Sequence, residues 1–133
     1  MCEDKRELIL VRHPQAESIS YYGRDFDRTL TSIGEEYAIL MARRAMSFDL
    51  KIDQFICSPV TRTKMTALAF CRKINYQQRE ILYLERLYDG TLQDYLKVFS
   101  TLAKNTTIII GHNPGIQDFA NWLCAGYFQN FSP

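Results

Sequence analysis

Short apolar runs alternate along the chain with longer stretches in which apolar residues recur at helical spacing. The runs at residues 8–11, 53–57 and 107–110 predict buried strands, and a weaker, mixed run at 81–84 predicts another. A short apolar run bounded by polar residues is typical of a strand that is covered on both faces. Strands that alternate with helices favour a parallel sheet with right-handed crossovers. We therefore predict a single α/β domain with three layers in the order α/β/α.

Four helices are predicted around these strands. The first begins after Thr31, which can cap it, and the second covers residues 60–73, with Ser58 as its cap and Pro59 at the first helical position. The third starts near residue 92 and the fourth near residue 116, whereas residues 15–28 lack a clear period and predict a loop. Helical spacing gives the first helix a predicted buried face of five residues: Ile33, Tyr37, Leu40, Met41 and Ala45.

Polar side chains follow the strands at the point where each strand ends. Arg12 and His13 follow the first strand, His112 and Asn113 follow the last, and Arg62 falls in the first turn of the helix after the second. In a parallel sheet these carboxyl ends share one edge, where ligands of α/β proteins bind. The chain has two histidines in all, and both belong to this edge.

This set of side chains is suited to phosphoryl transfer. Two guanidiniums can hold the oxygens of a phosphoryl group, and two imidazoles can supply a nucleophile and a further donor. We take His13 as the nucleophile, because Arg12 places a cation beside the incoming phosphate. Each element alone has a simpler explanation, since a histidine near a strand end is usually structural and Asn113-Pro114-Gly115 can be a plain turn. Their occurrence together favours the phosphoryl site.

Composition narrows the functional class. A length of 133 residues suits one hydrophobic core and is short for two ordinary domains. Sixteen basic against fifteen acidic residues give a net charge of +1, which argues against a nucleic-acid or membrane-surface binder. Neither a bilayer-spanning run nor a signal segment is present, so we expect a cytoplasmic protein. The four cysteines form no CxxC pair, which disfavours a disulfide framework or a zinc knuckle.

The order of the motifs resembles the histidine phosphatase superfamily, and most closely its SixA-type phosphohistidine phosphatases. The resemblance extends from about residue 8 to residue 123 and rests on five motifs: Val11-Arg12-His13, Leu30-Thr31-x-x-Gly34, Ser58-Pro59-x-x-Arg62-x-x-x-Thr66-Ala67, Leu87-Tyr88 and Gly111-His112-Asn113-Pro114-Gly115.

The resemblance implies a phosphoglycerate mutase-like fold and a phosphatase that needs no metal or organic cofactor. It makes His13 the phosphorylated nucleophile and assigns Arg12, Arg62 and His112 to the phosphate pocket, with Asn113 beside them. The implied substrate is a phosphohistidine on a partner protein, with a small phosphate ester as the alternative.

The sequence differs from the superfamily pattern around the catalytic groups. Pro14 stands where the superfamily often has glycine, which removes one backbone donor from the edge of the pocket. Larger members place an acidic proton donor after the third strand, where this chain offers Glu85 and Asp89. Neither residue is a compelling proton donor. Because imidazole leaves phosphorus more readily than an alkoxide does, a site without a strong acid favours a phosphoramidate substrate.

The end of the chain is the last departure from the pattern. SixA-like proteins continue past the final helix into a further strand, whereas this chain stops at Asn130-Phe131-Ser132-Pro133. We therefore expect the sheet to lack its C-terminal edge strand, with an edge that is bare or covered by another chain. Self-association at that edge is one way to cover it.

Two further hypotheses come from other functional classes. A phosphate-binding or interaction module could keep the pocket without turnover, as the shortened end and the missing acid suggest. A zinc site built from His13 and His112 is a more distant alternative, because no third ligand has suitable spacing.

Overall fold

The structure is a computed structural model that describes residues 6–20, 23–102 and 105–125. Four strands and four α-helices alternate along the chain, as the apolar pattern predicts. In order they are β1 (Glu7–Arg12), α1 (Ser32–Met46), β2 (Gln54–Cys57), α2 (Thr61–Ile74), β3 (Leu82–Tyr83), α3 (Leu92–Ser100), β4 (Thr106–Gly111) and α4 (Gly115–Cys124). Single 3₁₀ turns cover Asp25–Asp27, Gln78–Glu80 and Glu85–Leu87.

The strands form one parallel sheet in the order β1-β4-β2-β3. β4 is the central partner: Arg12 pairs with Gly111 at one end of β1, and Cys57 at the end of β2 pairs with Ile110. The carboxyl ends of β1, β4 and β2 therefore lie side by side. This register brings the residues that follow each strand to one edge, as the sequence predicts.

Helices cover both faces of the sheet, which confirms the α/β/α prediction. α1 and α2 pack on one face against Val11, Phe55, Ile108 and Ile110. α3 and α4 pack on the other face, together with Ile56 and Ile109. Every residue of β4 is buried, because both sides of this strand face a helical layer.

The predicted buried face of α1 is wrong at three positions. Ile33, Tyr37 and Leu40 are each more than half exposed, and the buried positions of the helix are Gly34, Ala38 and Ala42. Ala38 and Ala42 let α1 pack closely on α2, whereas Gly34 lies against the carbonyl of Gln15. The helix is therefore rotated by about one position from the face that large apolar residues indicate. Met41 and Ala45 pack against the core as predicted.

The helix caps are partly as predicted. Thr31 caps α1, since its hydroxyl accepts a hydrogen bond from the Gly34 amide at 2.9 Å. Ser58 does not cap α2: that helix begins at Thr61 with Val60 at the cap position, and no side chain caps it there. The Ser58 side chain is buried and has another partner, described below.

β1 lies at an edge of the sheet, and among the described residues it pairs with β4 alone. A groove of about 610 Å³ runs beside it, lined on the helical side by α1 residues that include Ile33 and Tyr37. The expectation of a missing C-terminal strand concerns residues 126–133, which lie outside the described part of the chain. No helix in the described part has the length and apolar character needed to cross a membrane.

Candidate active site

A cleft of about 410 Å³ lies at the carboxyl edge of the sheet. Its walls come from the ends of β1 and β4, the first turn of α2, the loop before α1 and the turn after β3. Eight residues line it: His13, Asp25, Arg28, Arg62, Tyr88, Asp89, His112 and Asn113. Both histidines of the chain therefore share one cleft, with ring centroids 5.1 Å apart and ring planes at 66°.

His13 follows β1 directly, and hydrogen bonds define the roles of both its ring nitrogens. Nδ1 lies 2.8 Å from the carbonyl oxygen of Pro14, and a carbonyl can only accept, so Nδ1 carries the proton. The Arg62 Nε–H donates to Nε2 at 3.3 Å, which makes Nε2 the lone-pair nitrogen. Burial lowers the pKa of His13, whereas the hydrogen bond to the Pro14 carbonyl raises it. The positive charges of Arg62 and Arg12 lower it further, and the net shift is downward. The ring is therefore neutral at pH 7.

Arg62 is the second residue of α2, and its guanidinium is almost fully buried. Its two terminal nitrogens bind one residue of the opposite loop: Nη1 donates to the Asp25 carbonyl at 2.8 Å and Nη2 to the Asp25 carboxylate at 3.1 Å. Its Nε remains directed at His13. Asp25 thus fixes the two terminal nitrogens of the guanidinium, while the Nε–H faces His13, the candidate nucleophile.

Asp25 joins three segments of the cleft wall. Besides Arg62, its carboxylate accepts from the Tyr88 hydroxyl at 2.6 Å and from Arg28 Nε at 2.8 Å. Arg28 in turn donates to the Glu17 carbonyl at 2.8 Å. The bond from Tyr88 is the largest cause that lowers the pKa of Asp25 to about 2, and the two guanidiniums add to it. Asp25 is therefore an ionised anchor and a poor proton donor.

His112 follows β4, and its ring is 7% exposed. Its Nε2 lies 2.7 Å from the hydroxyl oxygen of Ser58, which is fully buried. Burial, together with the charges of His13 and Arg62, lowers the pKa of His112 to about 3. The ring is therefore neutral at pH 7 and can act as an uncharged hydrogen-bond donor.

The backbone at the end of β4 is fixed by Tyr95 of α3. The Tyr95 hydroxyl accepts from the His112 amide at 3.1 Å. A Cβ atom on Gly111 would overlap this hydroxyl, and one on Gly115 would overlap the Gly90 carbonyl. Glycine on either side of His112 is thus required by the close approach of α3 and the turn before it.

The structure brings most of the predicted site residues together. His13, Arg62, His112, Asn113 and Asp89 all line the cleft. Two predicted residues do not. Arg12, the last residue of β1, is exposed and lines grooves on the two sides of β1, although its charge is near enough to lower the pKa of His13. Glu85 is exposed in the turn before Tyr88 and does not line the cleft, so Asp89 is the better-placed acid.

Three residues of the cleft were not predicted as site residues: Asp25, Arg28 and Tyr88. Asp25 and Arg28 belong to the loop expected over the strand ends, and their spacing of three allows an ion pair within one turn. Tyr88 belongs to one of the motifs that carry the family resemblance. The period-free loop sequence gives no signal that Arg62, Arg28 and Tyr88 all bind Asp25.

The zinc alternative finds no support in this geometry. Within residues 6–20, 23–102 and 105–125, no cluster of three or more histidine, cysteine, aspartate or glutamate side chains could hold a metal ion. The cleft instead presents a neutral imidazole nitrogen beside guanidiniums and a second imidazole. Such a set can attack and stabilise a phosphoryl group.

Known proteins resemble this chain in sequence or in fold. An uncharacterised chloroplast protein of Arabidopsis thaliana is 27% identical over an alignment of 128 positions, which covers 89% of this chain and 59% of the plant protein. A solved structure assigned as the phosphohistidine phosphatase SixA from Nakamurella multipartitia is 27% identical with a TM-score of 0.80, over 94% of this chain and 69% of that one. The structure of the protein histidine phosphatase SixA complexed with tungstate has a TM-score of 0.72 at 22% identity, over 86% of this chain and 74% of that one.

The fold is phosphoglycerate mutase-like, as the motif order implied. This chain spans less than two thirds of the plant relative's length. A sequence profile of the histidine phosphatase superfamily (branch 1) matches residues 8–103, which is most of the chain. The chain therefore belongs to branch 1 of the histidine phosphatase superfamily.

Proposed function

We propose that this protein is a phosphatase that acts through a covalent phosphohistidine on His13, with phosphohistidine on a partner protein as its substrate. The observation that carries the proposal is the state of His13: a neutral ring, with Nδ1–H bonded to the Pro14 carbonyl and the Nε2 lone pair beside Arg62. A histidine nucleophile needs this combination of an oriented ring and an unprotonated nitrogen.

In the first step the Nε2 lone pair of His13 attacks phosphorus and the bond from phosphorus to the substrate nitrogen breaks. The electron pair of that bond stays on the departing imidazole. An imidazole already protonated on its other nitrogen leaves as a neutral ring, so no acid has to donate a proton at that moment. Arg62, His112 and Asn113 stabilise the charge on the transferring phosphoryl oxygens, and Arg12 adds a cation near His13.

In the second step water attacks phosphorus and the bond from phosphorus to Nε2 breaks. Inorganic phosphate leaves, one proton of the water is released, and His13 returns to its neutral state. Both steps use only side chains of the protein and water. The guanidinium of Arg62 lies beside Nε2 throughout, which keeps a positive charge next to the transferring group.

A small phosphate ester is the second candidate substrate, and the position of Asp89 favours it. Asp89 lines the cleft, where its carboxyl group could protonate an alkoxide that leaves. A module that binds phosphate without turnover is the remaining alternative, since the same donors would hold an anion without any attack by His13.

The test compares phosphate release from a phosphohistidine-bearing protein and from p-nitrophenyl phosphate. We expect the phosphohistidine to be hydrolysed about 100-fold more efficiently, because the leaving imidazole needs no strong acid. His13→Ala should abolish both activities, and Arg72→Ala, which removes an exposed arginine from the far end of α2, should change neither.

Other outcomes identify the alternatives. Faster hydrolysis of the ester, lost in Asp89→Asn, would favour the small-ester reading. Absence of turnover, with phosphate still bound in the cleft, would favour the binding module.

A further inference from the structure

Ser58 lies between β2 and α2, is fully buried and contacts a residue of the candidate site. Its backbone groups are used by the scaffold: the amide donates to the Ile110 carbonyl at 3.0 Å, and the carbonyl accepts from the Thr63 hydroxyl at 2.6 Å. Its hydroxyl lies 2.7 Å from Nε2 of His112. The Ser58 side chain is therefore directed away from the helix terminus and toward the second histidine.

The direction of this hydrogen bond follows from counting donors and acceptors. A hydroxyl carries one proton and can also accept, whereas neutral imidazole has one N–H and one lone pair. Among the described residues, His112 is the partner that the structure gives to this hydroxyl. If Nε2 carried the ring proton, the buried Ser58 proton would have no acceptor, and such an unsatisfied group is unfavourable. The hydroxyl therefore donates, and Nε2 accepts.

We propose that Ser58 is a positioning residue that holds neutral His112 in the tautomer with its proton on Nδ1. This inference concerns the stabilising role of His112 in the proposed reaction. The Nδ1–H group of His112 then remains available to donate a hydrogen bond to a phosphoryl oxygen. The lone pair of the ring, on Nε2, is used by Ser58 and does not repel that oxygen.

The two histidines are then complementary in their hydrogen bonding. One nitrogen of each ring is bound by a group behind it: the Pro14 carbonyl for His13 and the Ser58 hydroxyl for His112. Because Nδ1 of His13 donates, its Nε2 keeps a lone pair, which accepts from Arg62 in the substrate-free cleft. Because Nε2 of His112 accepts, its Nδ1 keeps an N–H. With the ring centroids 5.1 Å apart, one ring attacks phosphorus while the other stabilises the charge that develops on its oxygens.

The test is nitrogen-15 NMR of the imidazoles at pH 7 in the ligand-free protein. The chain contains two histidines, so the spectrum holds two sets of ring signals, and His13→Asn assigns them. We expect His112 to show a protonated Nδ1 and an unprotonated Nε2. A protonated Nε2 on His112 would overturn the proposal and leave the phosphatase proposal standing.

Variants extend the test. In Ser58→Ala we expect His112 to move to a mixture of tautomers and kcat to fall about tenfold, with a smaller change in KM. Ser58→Thr keeps a hydroxyl and should retain the wild-type tautomer. The matched control is Thr63→Val, which removes a neighbouring buried hydroxyl bonded to the Ser58 carbonyl and should leave the His112 signals unchanged. An unchanged tautomer in Ser58→Ala would contradict the proposal. If that variant does not fold, the wild-type spectrum alone decides.

Discussion

Asp25 shows how the cleft depends on a residue that does not itself attack phosphorus. Its carbonyl and carboxylate bind both terminal nitrogens of Arg62, so that the Nε–H of the guanidinium faces His13. The hydroxyl of Tyr88 and the guanidinium of Arg28 hold the same carboxylate in place. Small displacements of a group that stabilises a transition state have large effects on rate. Asp25 therefore influences the reaction through Arg62.

We predict that Asp25→Asn lowers kcat/KM for phosphohistidine by about 10- to 100-fold, because the neutral side chain holds Arg62 less firmly. Asp27→Asn is the matched control. It removes the same charge from the same 3₁₀ turn, but Asp27 pairs with the exposed Arg24. The control should stay within about twofold of the wild type. Steady-state kinetics on both variants decide, and equal losses would show that the effect of Asp25 is only one of net charge.

At the residue scale, the sequence predicts those site residues that directly follow a strand. His13, Arg62 and His112 share the cleft because the register of a parallel sheet aligns the ends of β1, β2 and β4. Asp25 and Tyr88 could not be predicted in this way, since their contact joins loops 63 residues apart whose paths no periodicity indicates. Serine before proline is a common helix start and predicts a cap at Ser58, but α2 begins three residues later and the Ser58 hydroxyl contacts His112 instead.

At the level of elements, α1 shows where an apolar pattern misleads. Large apolar residues usually mark the buried face of a helix. Here a stripe of Gly34, Ala38 and Ala42 is buried instead, while Tyr37 and Leu40 are more than half exposed. Close approach of two helices requires small residues at the contact, and hydrophobicity alone does not reveal which helices approach closely. The position of α1 was predictable, but its rotation was not.

Gly34, in the first turn of α1, offers a test of a different contact, that of α1 with the segment after His13. A Cβ atom there would overlap the carbonyl oxygen of Gln15, in the chain that leads away from His13. We predict that Gly34→Ala destabilises the protein by about 1–3 kcal/mol through overpacking, although alanine favours a helix by about 1 kcal/mol. Urea unfolding measures the change. Glu36→Ala, at an exposed position of the same turn, is the control and should change stability by no more than about 0.5 kcal/mol. A stabilised Gly34→Ala would contradict this close contact between Gly34 and the Gln15 carbonyl.

For the whole molecule, the histidines link folding to pH. His112 has a pKa of about 3 in the folded state against 6.5 for the unperturbed side chain. Between these values the unfolded chain binds a proton that the folded protein does not, so the free energy of unfolding decreases as pH falls below 6.5. His13 acts in the same direction, because its pKa is also lowered. Asp25, with a pKa of about 2, contributes only at more acidic pH.

We predict that the free energy of unfolding falls by about 2 kcal/mol between pH 7 and pH 5. Urea titrations at the two pH values measure it. The fall should be clearly smaller in His112→Asn, which keeps His13 as the remaining histidine. A wild-type protein that is equally stable at both pH values would show that the buried imidazoles do not stay neutral.

The parallel direction of the strands and the helical layers on both faces of the sheet are predictable from the sequence, whereas the strand order β1-β4-β2-β3 comes from the structure. The β1 edge of the sheet carries a groove lined in part by exposed apolar residues of α1. An edge that is bare or covered by another chain stays a prediction, and so does self-association there.

The central claim is that His13 becomes phosphorylated during turnover. Rapid quenching of the protein with a phosphohistidine substrate, followed by mass spectrometry at neutral to basic pH, measures this directly. We predict one acid-labile phosphoryl group on His13 of the wild-type protein and none in His13→Ala. Turnover without any label on His13, or a label on another residue, would contradict the account.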